Sequence, residues 1–187
     1  MKLLKNKKNG FTLVEILLVV GFIALAGIGI YTVYTKVQMS NAALQEGKNL
    51  DTIRAGIKNL YGGNQNYAGL SNSVLNDARI TPDSMRKIPY DAGDATITNS
   101  FGGAVNLDPV SLGAAAGSNN GFRVTYNNVP GAVCAKLVTG TGAAWDQISV
   151  QGKVVKSFGK GNLNVSDLAT SCAIDGGTGV YVQFDSI

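Results

Sequence analysis

Histidine is absent from this sequence, and cysteine occurs only twice in 187 residues. Proteins use histidine more often than any other side chain for acid–base catalysis and metal binding, so its absence excludes the zinc sites that combine cysteine with histidine. The sequence also lacks a Walker phosphate-binding loop and a GxSxG nucleophile motif. We therefore expect a protein that is not an enzyme and holds no cofactor or metal.

A weak calcium signal occurs at residues 175–179, where the sequence reads DGGTG. It offers one carboxylate, whereas calcium usually takes roughly six to eight oxygen ligands. We interpret this segment as a turn that precedes a final strand.

Basic charge is scarce outside the first ten residues. Four of the sixteen basic residues are lysines within 1–10, and the remaining twelve are balanced by twelve acidic residues. Proteins that bind nucleic acid concentrate basic residues on one face. After residue 10 the basic residues form only small clusters. We therefore expect no nucleic-acid partner. The N-terminal lysines follow the positive-inside rule and indicate a leader held in the cytoplasm.

A long apolar run follows the lysines. Between residues 11 and 34, Glu15 is the one ionisable side chain apart from tyrosines. About 20 apolar helical residues span the hydrocarbon core of a bilayer, so the run predicts a transmembrane helix. A charge inside such a helix is unfavourable by about 2.5 to 3.5 kcal/mol on insertion scales. Glu15 therefore marks a functional site that needs a partner.

The start of this run resembles the processing and assembly signal of type IV prepilins and of the pseudopilins of type II secretion. The matching sequence is GFTLVE at residues 10–15, followed by the apolar helix. The resemblance implies that a prepilin peptidase cleaves between Gly10 and Phe11 on the cytoplasmic side and methylates the new amino group of Phe11. It also implies that Glu15 pairs with the Phe11 amine of a neighbouring subunit. A Sec-type signal peptide would place its cleavage site after the apolar run.

Two pairings of Glu15 are compatible with the spacing. Within one helix, Glu15 and the Phe11 amine lie about one turn apart, so both could belong to the same chain. Between two chains, the same pair would set the axial stagger of neighbouring helices, because a buried charge is stable only against a direct partner. We favour the intermolecular pair. The alternative is an ordinary membrane anchor with an incidental acid.

After residue 34 the helix becomes amphipathic. Apolar residues recur mostly every three or four positions, as on one face of a helix, and the Tyr61-Gly62-Gly63 sequence predicts its end. We expect one spine helix over residues 11–61, with residues 11–34 in the membrane or filament core and the polar half packed on a globular head. The predicted packing stripe is Val33, Val37, Leu44, Ile53, Ile57 and Leu60.

Cys134 and Cys172 both follow the membrane segment, on the side where thiols become oxidised. A disulfide between them would stabilise the fold by about 4 kcal/mol in the chain-entropy model. Two buried free thiols are the alternative.

The remaining sequence, residues 62–187, predicts an α+β head with an antiparallel sheet lying on the spine helix. Capping residues and proline predict short helices over residues 71–78, 81–85, 130–138 and 166–170. Alternating apolar residues predict strands over residues 95–98, 104–107, 122–126, 148–150, 153–155 and 179–184. Turns are expected at residues 102–103 and 151–152, and an exposed loop at residues 113–121.

Parts of the head resemble the type IVb pilins of the PilS kind. The matching segments are residues 61–63, 80–85 and 99–105, together with the late cysteine pair. The resemblance implies the type IV pilin fold and a major pilin that polymerises with itself into a pilus for adhesion, aggregation or conjugative mating.

The same resemblance implies the partners and the location. The partners are prepilin peptidase, a pilus assembly ATPase, an inner-membrane platform, an outer-membrane secretin and a receptor on a host or recipient cell. The prepilin would lie in the inner membrane of a Gram-negative bacterium, and the assembled pilus outside the cell.

Two other functions fit parts of the sequence. A type II secretion pseudopilin would share the N-terminal signal, and a DNA-uptake pilin is disfavoured by the balanced charge after residue 10. Tyr61, Tyr67 and Tyr126 are candidates for stacking on sugars at an adhesive surface, but we interpret them as packing residues.

Overall fold

The structure is a computed structural model that describes residues 11–86, 93–113, 116–173 and 179–187. The leader predicted for residues 1–10, most of the turn at 175–179 and part of the loop at 113–121 lie outside the described residues. The described elements, in chain order, are α1 (Leu13–Leu60), α2 (Asn72–Asp77), β1 (Val105–Val110), β2 (Gly121–Val129), α3 (Gly131–Thr141), β3 (Gln147–Val150), β4 (Lys153–Lys156), α4 (Val165–Cys172) and β5 (Val180–Ser186). The chain divides into two compact units, Met1–Gln38 and Met39–Ile187, which are described separately below.

The first unit consists, in its described part, of the beginning of α1. Every large apolar side chain from Phe11 to Val37 is exposed. The helix contains an 18-residue window with a mean hydropathy of 2.6, so by length and composition it can cross a membrane. No described residue of this unit covers the apolar surface, which favours lipid or other protein chains as its cover.

The described residues of the second unit form one antiparallel sheet of five strands in the order β1-β2-β5-β3-β4. The strand predicted over 179–184 is confirmed as β5, and it holds the central position. Val180, Val182 and Phe184 alternate along β5 and are buried. The hairpin predicted around residues 151–152 is also confirmed, with Gln151 and Gly152 at positive φ in the turn between β3 and β4.

The second unit also includes the C-terminal part of α1. The buried side chains of this helix are Ala43, Glu46, Asn49, Leu50, Ile53 and Ile57. The aliphatic ones share a single hydrophobic core with the sheet and with Trp145, whose ring lies 5.9 Å from that of Phe122 and 5.5 Å from that of Phe184. The prediction that the polar half of the helix packs on the head is therefore confirmed.

The packing stripe predicted for α1 is partly wrong. Ile53 and Ile57 are buried as expected, but Leu44 is 65% exposed and Leu60 is 42% exposed, and Val33 and Val37 are exposed as well. Leu44 lies roughly 120° around the helix from Leu50, and Leu60 is the last helical residue. Two polar residues, Glu46 and Asn49, occupy the buried face instead.

Three local predictions are also wrong. Residues 81–85 form a turn rather than a helix, closed by the Met85 N–H donating to the carbonyl of Pro82 (2.9 Å). Within residues 95–98, Ile97 and Thr98 form isolated bridges rather than a strand, and the Asp94 carboxylate accepts the Thr96 N–H (2.8 Å). Helix α4 is capped by Asn164 and not by Ser166.

Candidate functional site

The N-terminal end of α1 presents the residues that the sequence singles out for assembly. Glu15 lies in the first helical turn, and its backbone N–H donates to the hydroxyl of Thr12 (3.2 Å), which caps the helix. The Glu15 side chain is exposed, and Phe11 beside it is 78% exposed. Gly10 lies outside the described residues. The site is therefore a single carboxylate at the N-terminal end of an apolar helix whose surface is exposed.

No lysine or arginine lies within salt-bridge distance of Glu15 in the part of the chain that the structure describes. An acid near a helix N-terminus is favoured by the helix dipole, by about 0.3 to 1 kcal/mol. That contribution is small beside the penalty for placing a carboxylate in lipid. The geometry of one chain therefore leaves most of the penalty uncompensated.

The cysteines join the two helices that pack against one edge of the head. Cys134 on α3 and Cys172 on α4 form a disulfide with a Cα–Cα distance of 5.7 Å, and both residues are buried. The disulfide prediction is confirmed, and the alternative of two free thiols is excluded. The 38-residue separation closes a loop that carries β3 and β4.

The three candidate tyrosines are packing residues. Tyr126 is fully buried, with its ring 6.2 Å from that of Phe184. Tyr61 and Tyr67 are partly buried and lie 5.4 Å apart, and Tyr67 in turn lies 5.1 Å from Phe122. The aromatic rings of these tyrosines pack against other rings of the same protein, which disfavours a role in stacking on sugars.

The comparisons with known proteins point the same way. A family model described as "PilS N terminal" matches residues 40–183. The chain belongs to the PilS family. It is 27% identical over 159 residues to the major structural subunit of bundle-forming pilus from Escherichia coli, covering 83% of this chain and 78% of that relative. It is 24% identical over 149 residues to the toxin coregulated pilin of Vibrio cholerae, covering 79% and 64% of the two chains.

Solved pilin structures share the fold of this PilS-family chain. The type IVb pilin of Salmonella typhi matches with a TM-score of 0.58 and 24% identity, covering 75% of this chain and 96% of that one. TcpA, a type IV pilin of Vibrio cholerae El Tor, matches with a TM-score of 0.52 and 20% identity, covering 80% and 99%. The chain thus has the type IV pilin fold, and its membership of the PilS family favours a pilin over a type II secretion pseudopilin. The family is one of structural proteins.

A polar cluster inside the pilin head was missed at the sequence level. Glu46 is 1% exposed and Asn49 is 5% exposed, although both are polar and neither belongs to the predicted packing stripe. The successive spacings along the series Glu46, Leu50, Ile53 and Ile57 are four, three and four residues, which is the spacing of one helix face. Their alignment with the aliphatic stripe was the available signal.

We expect the pilin to lose stability as the pH rises above 10, the ordinary pKa of tyrosine. Burial, followed by repulsion from Glu46 and the hydrogen bond to it, raises the pKa of Tyr126 well above that value. The unfolded chain releases this proton near pH 10 while the folded chain retains it, so unfolding becomes more favourable by up to about 1.4 kcal/mol per pH unit. Urea unfolding midpoints of the full chain in detergent, measured at steps between about pH 8 and pH 11, test this.

Tyr126→Phe is the matched variant, because it removes the titrating hydroxyl and keeps the ring. Burial also raises the pKa values of Tyr61 and Tyr67, so part of the alkaline loss is expected to remain. Equal slopes for the parent chain and for Tyr126→Phe would contradict the prediction.

Proposed function

We propose that this type IVb pilin is the major structural subunit of a surface pilus and is made as a prepilin. Residues 1–10 are the leader, residues 11–61 the spine helix and residues 62–187 the globular head. Prepilin peptidase cleaves between Gly10 and Phe11 and methylates the new amino group of Phe11. The observation that carries the proposal is the uncovered apolar surface of α1, with Glu15 at its N-terminal end, on a chain with a type IV pilin head.

Glu15 pairs with the methylated amine of Phe11 on the next copy. Cleavage before Phe11 would create a cation at the edge of an apolar helix, and that cation has the same need for a buried partner as Glu15. No ion pair reaches the Glu15 carboxylate from the described residues, so its cationic partner would come from another copy. Pairing between copies neutralises both groups and sets the stagger of adjacent helices.

Assembly follows from repetition of this contact. The Phe11 amine and Glu15 are different surfaces of one chain, so the contact is heterologous, and a heterologous contact that does not close generates an open helix. The apolar helices leave the bilayer for the filament core, where the side chains of other copies cover them.

The machinery and location proposed for the pilin are those of its class. The prepilin lies in the inner membrane of a Gram-negative bacterium, and an assembly ATPase, an inner-membrane platform and an outer-membrane secretin build the pilus. The heads then meet a host or recipient cell during adhesion, aggregation or conjugative mating. The names of the relatives, a major structural subunit of bundle-forming pilus and a toxin coregulated pilin, support the role of a pilus subunit.

The processing proposal predicts the intact mass of the subunit in sheared surface filaments. We expect the mass of residues 11–187, increased by one methylene group for N-methylation and reduced by two hydrogen atoms for the disulfide. Mass spectrometry of the filaments, with fragmentation to place the methyl group on Phe11, measures all three features together. The control is Gly10→Val, which is expected to retain the leader and to be missing from the sheared fraction. Surface filaments that still contain the leader lysines would refute the proposal.

A further inference from the structure

Glu46 is a carboxylate buried in the apolar core of the head. Its Oε1 accepts the Ser100 backbone N–H (2.7 Å), and its Oε2 accepts the Tyr126 hydroxyl (3.1 Å) and the side-chain amide of Asn49 (3.2 Å). Among the described residues no lysine or arginine forms an ion pair with it. The buried Glu46 carboxylate is therefore satisfied by three neutral hydrogen-bond donors. It is stable in this position only if all three donors lie within hydrogen-bonding distance of it.

The donors come from separate parts of the chain. Asn49 is on α1, Ser100 is on the turn before β1, and Tyr126 is on β2. Asn49 also accepts a hydrogen bond from the hydroxyl of Ser84 (3.4 Å) through its side-chain carbonyl. We call Glu46, Asn49, Ser100 and Tyr126 the polar key. It ties one position on α1 to two other segments of the head, the turn before β1 and strand β2.

The aliphatic contacts of α1 specify a position along the helix less sharply, because Leu50, Ile53 and Ile57 pack without directional bonds. Gly56 adds a steric contact, since a Cβ atom there would clash with the Cγ2 atom of Ile80. A shift of α1 by one turn would carry Glu46 away from the donors on Ser100 and Tyr126. A charge and several hydrogen-bonding groups would then be buried without partners, which is strongly unfavourable.

We propose that the polar key fixes the register of α1 on the sheet. A single buried polar residue plays this part in coiled coils, where it selects one register at some expense of stability. The consequence for assembly rests on the proposed function. A filament built from one repeated contact needs every copy to hold its sheet at the same position along α1.

The register can be measured by cross-linking within the full chain in detergent, without filament formation. A Cβ atom added at Gly47 would lie 3.3 Å from the Cγ2 atom of Thr141, so the pair Gly47→Cys with Thr141→Cys reports the observed register. The pair Asp51→Cys with Thr141→Cys reports a register shifted by one turn. Peptide mapping after oxidation separates these disulfides from the native one and gives the ratio of the two yields.

Three substitutions in both reporter backgrounds test the proposal. Glu46→Leu is expected to lower the ratio of observed to shifted cross-link by at least about tenfold, because it removes the charge that opposes the shift. Glu46→Gln keeps an acceptor for Ser100 and is expected to preserve the ratio. Ile53→Val is the control, a loss of apolar volume on the same helix face, and is expected to leave the ratio unchanged. An unchanged ratio in folded Glu46→Leu, or an equal fall in Ile53→Val, would overturn the proposal.

A measurement on the unmodified chain covers the case in which Glu46→Leu does not fold. Ser100 lies on an exposed turn, where an amide ordinarily exchanges with solvent quickly. Because its N–H donates to Glu46, we expect exchange as slow as that of the buried turns of α1 around Ile53. Exchange within about tenfold of an unprotected amide would show that the key does not hold this segment. Both readouts are independent of pilus assembly, so a failure here is distinguishable from a failure of the proposed function.

Discussion

Chains with Glu15→Ala or Glu15→Gln are expected to insert in the membrane and lose their leader, yet to form almost no filaments. Removing one partner of a buried ion pair destabilises it by about 3 to 5 kcal/mol, because the other charge is left buried alone. That energy corresponds to about a hundredfold or more in an equilibrium constant. The filament yield, measured in sheared surface fractions against total processed pilin, should fall accordingly. Glu15→Asp keeps the charge and should retain more assembly than either neutral variant.

The competing role of Glu15 is local stabilisation of the helix N-terminus, which is worth about 0.3 to 1 kcal/mol. Thr12→Ala is the matched control, because it removes the cap on the Glu15 N–H, at about 0.5 to 2 kcal/mol, and leaves the carboxylate in place. If helix capping were the function, Thr12→Ala would impair assembly as much as Glu15→Gln does. Normal filament yield from both neutral Glu15 variants would end the intermolecular pairing proposal.

Much of this fold could be predicted because its strongest signals are local. The apolar run beginning at Phe11, the two glycines after Tyr61 and the alternation in β5 each constrain the chain without reference to distant residues. Cap chemistry was equally reliable at Ser71, whose hydroxyl accepts the Val74 N–H. The disulfide followed from there being two cysteines on one side of a membrane segment. These predictions are confirmed because the local signals are strong and tertiary packing does not override them.

Two of the errors, at Glu46 and at residues 81–85, arise because long-range partners decided the outcome. Glu46 has an ionisable side chain, which ordinarily lies at the surface. Its burial is favourable only because the distant residues Ser100 and Tyr126 donate hydrogen bonds to it. Thr81 and Pro82 are a good helix start, but the chain is instead drawn into a bridge between Arg86 and Ile97. Sequence periodicity contains no information about such partners, so the buried face of α1 was assigned correctly only where it is aliphatic.

Glu15 illustrates a different limit. Its functional partner, as proposed, belongs to another copy of the chain, so the structure of one copy shows the carboxylate and the uncovered helix but not the pair. The sequence identified the residue because a charge in an apolar run is unfavourable wherever the run is buried. Chemistry that operates between copies is thus more visible in the sequence than in the fold of the single subunit.

Replacing both cysteines, as Cys134→Ala with Cys172→Ala, is expected to lower the free energy of unfolding of the head by about 4 kcal/mol. The disulfide closes a 38-residue separation, and opening it gives the unfolded chain the freedom that the bond had removed. The native contacts of the loop should remain. The Nζ of Lys156 still donates to the carbonyls of Gly142 (2.8 Å) and Trp145 (2.6 Å), which anchors β4 to the end of α3.

Trp145 provides the measurement, since it is the single tryptophan of the chain, is buried, and lies inside the closed loop. Its native emission spectrum should be the same in the double variant, while the guanidinium midpoint of the full chain in detergent should fall. Reduced parent protein is the matched control and should unfold at a similar midpoint. The disulfide acts mainly on the unfolded chain, which is less compact without it. The slope of the unfolding free energy against denaturant concentration should therefore increase in the double variant. A loss below about 1 kcal/mol would mean that the loop stays structured after unfolding, and that packing between α3 and α4 holds this part of the head without the bond.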